Sequence, residues 1–223
     1  MKQSFKHKNK IKITDILLGI VFALFFISIS VVAVVNFRPL YYLDINLLNI
    51  ADTSGYSINI IKENYNTLID YCSPFFQGPL NFPTLTSSAN GLQHFDEVKN
   101  IFVVFYYLAA FTFILILVII IYKKKKQDTT YLVVSSITTI VLPIIVALAS
   151  LINFDATFII FHKIFFRNDY WYFDSELDPI ITLLPQAYFL HCVVFIIACI
   201  LIGSLSLFLA SVLAKRKILR IKD

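Results

Sequence analysis

Two short segments gather most of the side chains in this chain that could move a proton. The first, Gly91-Leu92-Gln93-His94-Phe95-Asp96-Glu97-Val98-Lys99, sets an imidazole close to two carboxylates and an ammonium. Imidazole titrates near neutral pH, so it can take up a proton and return it without a cofactor. If a helix runs through the segment, His94 and Glu97 fall one turn apart on the same side. A carboxylate there would fix the tautomer of the ring and raise its basicity. An ordinary charged helix start accounts for the same residues equally well. The second segment, Phe161-His162-Lys163-Ile164-Phe165-Phe166-Arg167-Asn168-Asp169-Tyr170-Trp171, buries an imidazole among aromatics. Such a histidine is costly unless a partner satisfies it, although one that reaches up to the headgroups would avoid that cost.

Two histidines with acids nearby could hold a metal or act as an acid–base pair. No His-x-x-His or His-Glu-x-x-His spacing supports a metal, and no cofactor motif is present, neither a phosphate-binding Gly loop nor Cys-x-x-Cys. The other histidines read more plainly: His7 as part of a solvated basic tail, and His191 as an interfacial polar cap beside Cys192. Cys192 and Cys199 lie seven residues apart on one expected helix, beyond disulfide reach, and Cys72 has no obvious mate. All three read as free thiols without a catalytic role.

Whatever these segments do, apolar helices must position them. Of 223 residues 58% are hydrophobic and only 15% charged, too few charges to cover a soluble surface. Four apolar runs, about 16–37, 101–122, 131–152 and 188–213, are each long enough to cross a hydrocarbon core. The first lacks a small-x-small cleavage site and reads as a retained span rather than a signal peptide. The expected fold is therefore an all-α integral membrane protein with four transmembrane helices in one domain over the whole chain.

Lysine and arginine set its orientation. Lys2, Lys6, Lys8, Lys10 and Lys12, the run Lys123 to Lys126, and Lys215, Arg216, Lys217, Arg220 and Lys222 would all share one face. Both termini are then expected in the cytoplasm. These clusters need no nucleic-acid partner, because anionic lipid at the inner leaflet suits them. Loops 38–100 and 153–187 fall outside and carry eleven of the 14 acids, along with His94 and His162, while His191 stands at the outer end of the fourth span.

A 63-residue first loop is too long for a simple connection. Within it Ile58, Ile61, Tyr65, Leu68 and Cys72 share a helical face, and Ser57 could cap the start. Pro74, Gly78, Pro79 and Pro83 then exclude a regular helix, while Phe75, Phe76 and Phe82 suggest a loop that dips toward the interface. The stretch 155–168 is expected to be helical and to lie in or re-enter the interface, so that the two loops form a cap containing interfacial helices. No charge sits at the centre of a span, which argues against an ion pathway. On the fourth span, Ser206, Ala210 and Ala214 form a small-residue stripe suited to helix packing.

The two histidine segments also carry a resemblance. His94-x-x-Glu97-Val98-Lys99 before the second span, and Phe161-His162-x-Ile164-Phe165-Phe166-x-Asn168-Asp169-x-Trp171 before a proline-rich return, resemble the bacterial lipoprotein intramolecular transacylase family. The four-helix layout extends the likeness over nearly the whole chain. The family pattern has Asp three residues after the first histidine; here Glu97 holds that place, with Asp96 beside it.

The resemblance implies a cell-membrane acyltransferase working on the extracytoplasmic side. Its substrate would be a lipoprotein whose N-terminal cysteine carries a diacylglyceryl group. The sn-2 acyl chain would move to the α-amino group, giving the lyso form. It implies His94 and His162 as catalytic and Asp96, Glu97, Lys99, Arg167, Asn168 and Trp171 as supporting residues, with no metal and no cofactor. Arg167, Asn168 or a loop N–H would face the developing oxyanion. The partners expected are the lipoprotein and membrane lipids, around a monomer. Two other readings fit the residues alone: a membrane lipid-ester hydrolase using the same histidines, and an accessory membrane protein with no activity.

Overall fold

The computed structural model describes residues 11–222. Lys2, Lys6, His7, Lys8 and Lys10 of the basic tail, and Asp223, lie outside the described residues. All regular structure in the described chain is helical, with no strand among those residues.

Four helices are long and apolar enough to cross a membrane: α1 (Ile13–Asn36), α5 (Ala89–Lys125), α6 (Thr130–Ile152) and α9 (Gln186–Lys222). Between α1 and α5 the first loop folds into α2 (Arg38–Leu47), α3 (Ile50–Ser54) and α4 (Ile58–Tyr71). Between α6 and α9 the second loop forms α7 (Phe154–Phe165) and the single turn α8 (Ile180–Leu183).

In the bundle, α1 packs against α5, α6 and α9, and α6 also packs against α9. Small residues allow these approaches. A Cβ on Gly203 of α9 would stand 2.4 Å from the Phe26 ring, and one on Gly19 of α1 would stand 2.7 Å from the Thr138 hydroxyl. Ser204 donates across the α9–α6 crossing to the Ser136 carbonyl at 2.7 Å. The packed stripe of α9 is thus Gly203, Ser204, Leu207 and Ser211, all buried. Ser206 and Ala210 of the expected stripe are exposed, and Ala214 is half-buried. In lipid every face of a span is apolar, so hydropathy gives no phase, and small residues on two faces compete for the role. At one end of the bundle Lys123 joins Asp15 (3.0 Å) and Asp128 (2.7 Å), tying α1 to the α5–α6 turn.

The cap has its own core: Tyr41 and Ile45 of α2, Ile50 of α3, Ile61, Tyr65 and Leu68 of α4, Ile180 and Leu183 of α8, and Tyr188 of α9. Tyr41 and Tyr65 stack with centroids 3.7 Å apart. Tyr41 donates to the Leu183 carbonyl at 2.7 Å, and the Tyr65 and Tyr188 hydroxyls pair at 2.9 Å. The expected amphipathic helix is α4, capped by the Ser57 hydroxyl. Of its predicted face, Ile61, Tyr65, Leu68 and Cys72 are buried, whereas Ile58 in the first turn remains 43% exposed. Helices α2 and α3 carry no comparable pattern in the sequence. The proline-rich stretch after α4 is non-helical as expected, and Phe75 projects into the open. The three cysteines are free.

Candidate active site

The helix that carries His94 begins twelve residues before the apolar run does. Its 37 residues span about 55 Å, whereas a hydrocarbon core needs about 30 Å. The first turns of α5 therefore stand clear of the spanning part. Ser88 starts them: its hydroxyl accepts from the Gly91 N–H at 2.9 Å. The buried carboxylate of Asp178, in the turn before α8, accepts from the Ser88 N–H and hydroxyl, each at 2.7 Å. The end of α5 is thereby fixed to the second loop, two turns from His94.

His162 arrives on α7, which is capped by the Asn153 side chain accepting from the Ala156 N–H at 2.9 Å. This helix is inside out relative to a soluble one. Ile159, Ile160, Phe161, Ile164 and Phe165 are exposed, and His162 is the residue that α7 buries. An exposed apolar face of this kind suits lipid, and it turns the imidazole toward the protein.

There the two histidines meet. Their ring centroids lie 6.0 Å apart with planes 30° from parallel, and no hydrogen bond joins them. Aromatic rings enclose both. His94 meets the Phe166 ring edge-on at 4.6 Å and Phe173 at 5.5 Å. His162 lies between Phe158 at 4.2 Å and Trp171 at 4.6 Å.

The His162 Nδ1 lies 2.8 Å from the Phe158 carbonyl. A carbonyl only accepts, so Nδ1 carries the proton and Nε2 of the neutral ring carries the lone pair. His94 has no such anchor: its buried Nδ1 has no hydrogen-bond partner. Burial, with His162 as neighbour, pushes the His94 imidazole down to about 4. Burial also lowers His162, partly offset by the Phe158 carbonyl. Both rings are neutral near pH 7.

The remaining expected site residues separate into four groups. Trp171 is buried against His162, and its indole N–H donates to the Asn168 carbonyl at 3.1 Å. Glu97 does share a helix side with His94, but its carboxylate accepts from the Asn168 amide at 2.8 Å rather than from the imidazole. Asp96 and Lys99 serve the first loop. Asp96 accepts from the Tyr71 hydroxyl at 3.0 Å, while Lys99 donates to the Phe76 carbonyl at 3.3 Å and lies 4.2 Å from the Tyr71 ring centre. Arg167 is exposed.

Sequence reasoning missed Phe158 and Phe173 as walls of the chamber and Asp178 as the anchor of α5. Ser88 and Asp178 are 90 residues apart, so no local pattern links them. It also missed the partner of His191: Nδ1 meets both oxygens of the buried Asp44 at 2.8 and 2.9 Å. Among the described residues no group of three His, Cys, Asp or Glu side chains is placed to hold a metal ion.

Comparison with known proteins adds to this geometry. Residues 16–189 match the family model for "Lipoprotein intramolecular transacylase Lit", a stretch that includes both histidine segments. No curated protein matches. The in meso structure of the membrane-integral lipoprotein intramolecular transacylase Lit from Bacillus cereus superposes with a TM-score of 0.87 at 39% identity, covering 92% of this chain and 97% of that one. A variant of the same protein with one histidine replaced by arginine gives a TM-score of 0.84 at 39% identity, covering 94% and 95%. Another, with one histidine replaced by alanine, gives 0.82 at 39% identity, covering 92% and 94%. With a family model matched over most of its length and solved relatives at this identity, the chain belongs to the Lit family of lipoprotein intramolecular transacylases.

Proposed function

We propose that this protein moves the sn-2 acyl chain of an S-diacylglyceryl cysteine to the α-amino group of the same residue, leaving the lyso form of the lipoprotein. The observation that carries the reading is the pair of buried imidazoles, 6.0 Å apart, inside an aromatic chamber. In the proposed step the neutral α-amine attacks the ester carbonyl carbon and a C–N bond forms. The amine gives one proton to His162 Nε2, the nitrogen with the lone pair. The C–O bond to glycerol breaks, and the same proton passes from His162 to the departing oxygen. Protons balance, and no second acyl donor is needed. Ester and amine belong to one molecule, so much of the rate comes from holding them together.

His94 takes a different part. A neutral imidazole carries one N–H, and burying that N–H without an acceptor is costly. With the lone pair on the buried Nδ1, the proton sits on Nε2. A neutral imidazole N–H can then polarise the ester carbonyl, and it stays neutral because its pKa is low. Asn168, by contrast, spends its side chain on Glu97 and the Tyr170 N–H. The aromatic walls keep water from the ester, which favours transfer over the hydrolase reading.

The lysine- and arginine-rich end of the bundle supports, as part of the same reading, a site that faces away from the cytoplasm of a bacterial cell, with both termini inside and a monomeric chain. Mass spectrometry of lipoprotein N-termini, from cells with and without this gene, tests the activity. Lyso-form N-termini should appear only with it, and unchanged diacyl N-termini would refute the proposal. Stoichiometric zinc in active, purified protein would favour a metal-dependent hydrolase instead.

A further inference from the structure

The two histidines come from different loops, and nothing joins their rings directly. A chain of polar contacts joins the segments behind them. Glu97, one turn after His94, accepts from the Asn168 side-chain amide at 2.8 Å. The Asn168 backbone carbonyl accepts from the Trp171 indole at 3.1 Å, and its side-chain oxygen accepts from the Tyr170 N–H at 3.1 Å. Trp171 in turn packs on His162 with centroids 4.6 Å apart.

Asn168 thus uses three of its polar groups at once, two to shape the turn that aims Trp171 and one to fasten that turn to α5. Phe166, on the same short stretch, meets the His94 ring. We infer that Glu97 and Asn168 form a latch that sets the distance between His94 and His162. They are positioning residues, and the carboxylate of Glu97 acts through Asn168 rather than on the substrate. The inference rests on the transacylase reading, because it assigns the latch to the geometry of that reaction.

Exchanging the two ends of the latch tests it. In Asn168→Asp the turn keeps its acceptor for Tyr170, but two carboxylates face each other, and a hydrogen bond to a charged group is lost. Its loss is expected to lower kcat by about 10- to 100-fold. Glu97→Gln alone keeps an acceptor for Asn168 and should stay within about threefold of wild type. The double variant Glu97→Gln/Asn168→Asp restores the bond with donor and acceptor reversed, so kcat should recover to within about fivefold of wild type. A carboxylate needed on the substrate would not be rescued by moving it to the opposite loop. A double variant as slow as Asn168→Asp would therefore overturn the latch.

Trp171 is the only tryptophan in the chain, so its emission reports the turn whether or not any reaction occurs. It should shift in Asn168→Asp and return in the double variant. An emission unchanged in Asn168→Asp would also overturn the latch. Should Asn168→Asp fail to fold, Asn168→Ala serves: a fall in kcat with KM within about twofold supports the latch, and a change in KM alone refutes it. Failure of the transacylase reading would appear separately, as wild-type protein that makes no lyso product.

Discussion

The three described histidines occupy two regions at the cap end of the bundle, and the regions treat them in opposite ways. Beside α2, His191 is fastened through Nδ1 to both oxygens of Asp44, a carboxylate with no exposed surface. Beside α7, His94 and His162 have no carboxylate against them, although Asp96 and Glu97 are close in sequence. A carboxylate holds a histidine in one orientation and takes up one of its two nitrogens, which suits a clamp between the cap and a span. A ring left among aromatics stays neutral and keeps a nitrogen for another molecule. In the proposed reading the histidine that most resembles part of an acid–histidine relay is the structural one.

The sharpest way to break that contrast is to remove the rings. His162→Ala should lower kcat about 10²- to 10⁴-fold, the usual worth of a positioned acid–base group. His94→Ala should cost about 10²- to 10³-fold as the loss of one donor to the oxyanion. Both variants should fold, because each ring makes few polar bonds to the protein. Lyso-product formation from a synthetic diacylglyceryl lipopeptide measures both, and full activity in either variant would remove that histidine from the mechanism.

Acidity probes the same rings without mutation. In the proposed mechanism the neutral form of each imidazole is the working one, and a lowered pKa keeps it neutral as pH falls: His94 down to about 4, His162 below its usual 6.5. The substrate's α-amine, with a pKa of about 7.7–8.0, protonates first. The logarithm of kcat/KM should therefore fall with unit slope below about pH 7.5, with no second bend at 6.5. A bend near 6.5 that disappears in His162→Ala would show that this ring is ordinary rather than depressed.

On the other side of the comparison, His191→Ala leaves Asp44 buried without its donor. The expected cost is about 1–3 kcal/mol of stability, seen as a lower melting temperature, with kcat of the folded protein within about threefold of wild type. His191→Gln, whose amide can still donate to Asp44, should recover most of the loss. If His191→Ala instead abolished transfer at unchanged stability, the two regions would have to exchange roles.

How much of this was legible in the sequence depends on the range of the contacts. The four spans and α4 were readable because each follows from a periodic or continuous apolar run, and His162 stood out as one polar residue in such a run. The pairing of His191 with Asp44 spans 147 residues and that of Asn168 with Glu97 spans 71, so neither leaves a mark in any local window. The expectation that Glu97 would partner His94 relied on helical spacing alone. That spacing places two side chains on one side of α5 but does not decide what Asn168 brings from the other loop. The packing stripe of α9 was misplaced for a related reason: a span in lipid shows several faces with small residues, and only its neighbours select one.

A smaller perturbation tests whether the proposed catalytic region depends on the fold beneath it. Gly91 lies one turn before His94, and a Cβ there would stand 2.3 Å from an Asp178 oxygen and 3.1 Å from the Phe173 ring. Asp178 is buried and committed to Ser88, so it cannot retreat without loosening the start of α5. Phe173 in turn lines His94. Gly91→Ala should therefore cost about 1–3 kcal/mol of stability through overpacking and shift His94 enough to lower kcat several-fold, while leaving the His191–Asp44 pair intact. The equivalent crowding far from the site, Gly203→Ala against the Phe26 ring, should carry a similar stability cost with no change in kcat. If both substitutions slowed transfer to the same degree, the rate would be following general bundle stability, and the close seat of α5 on Asp178 would have no particular hold on the imidazole.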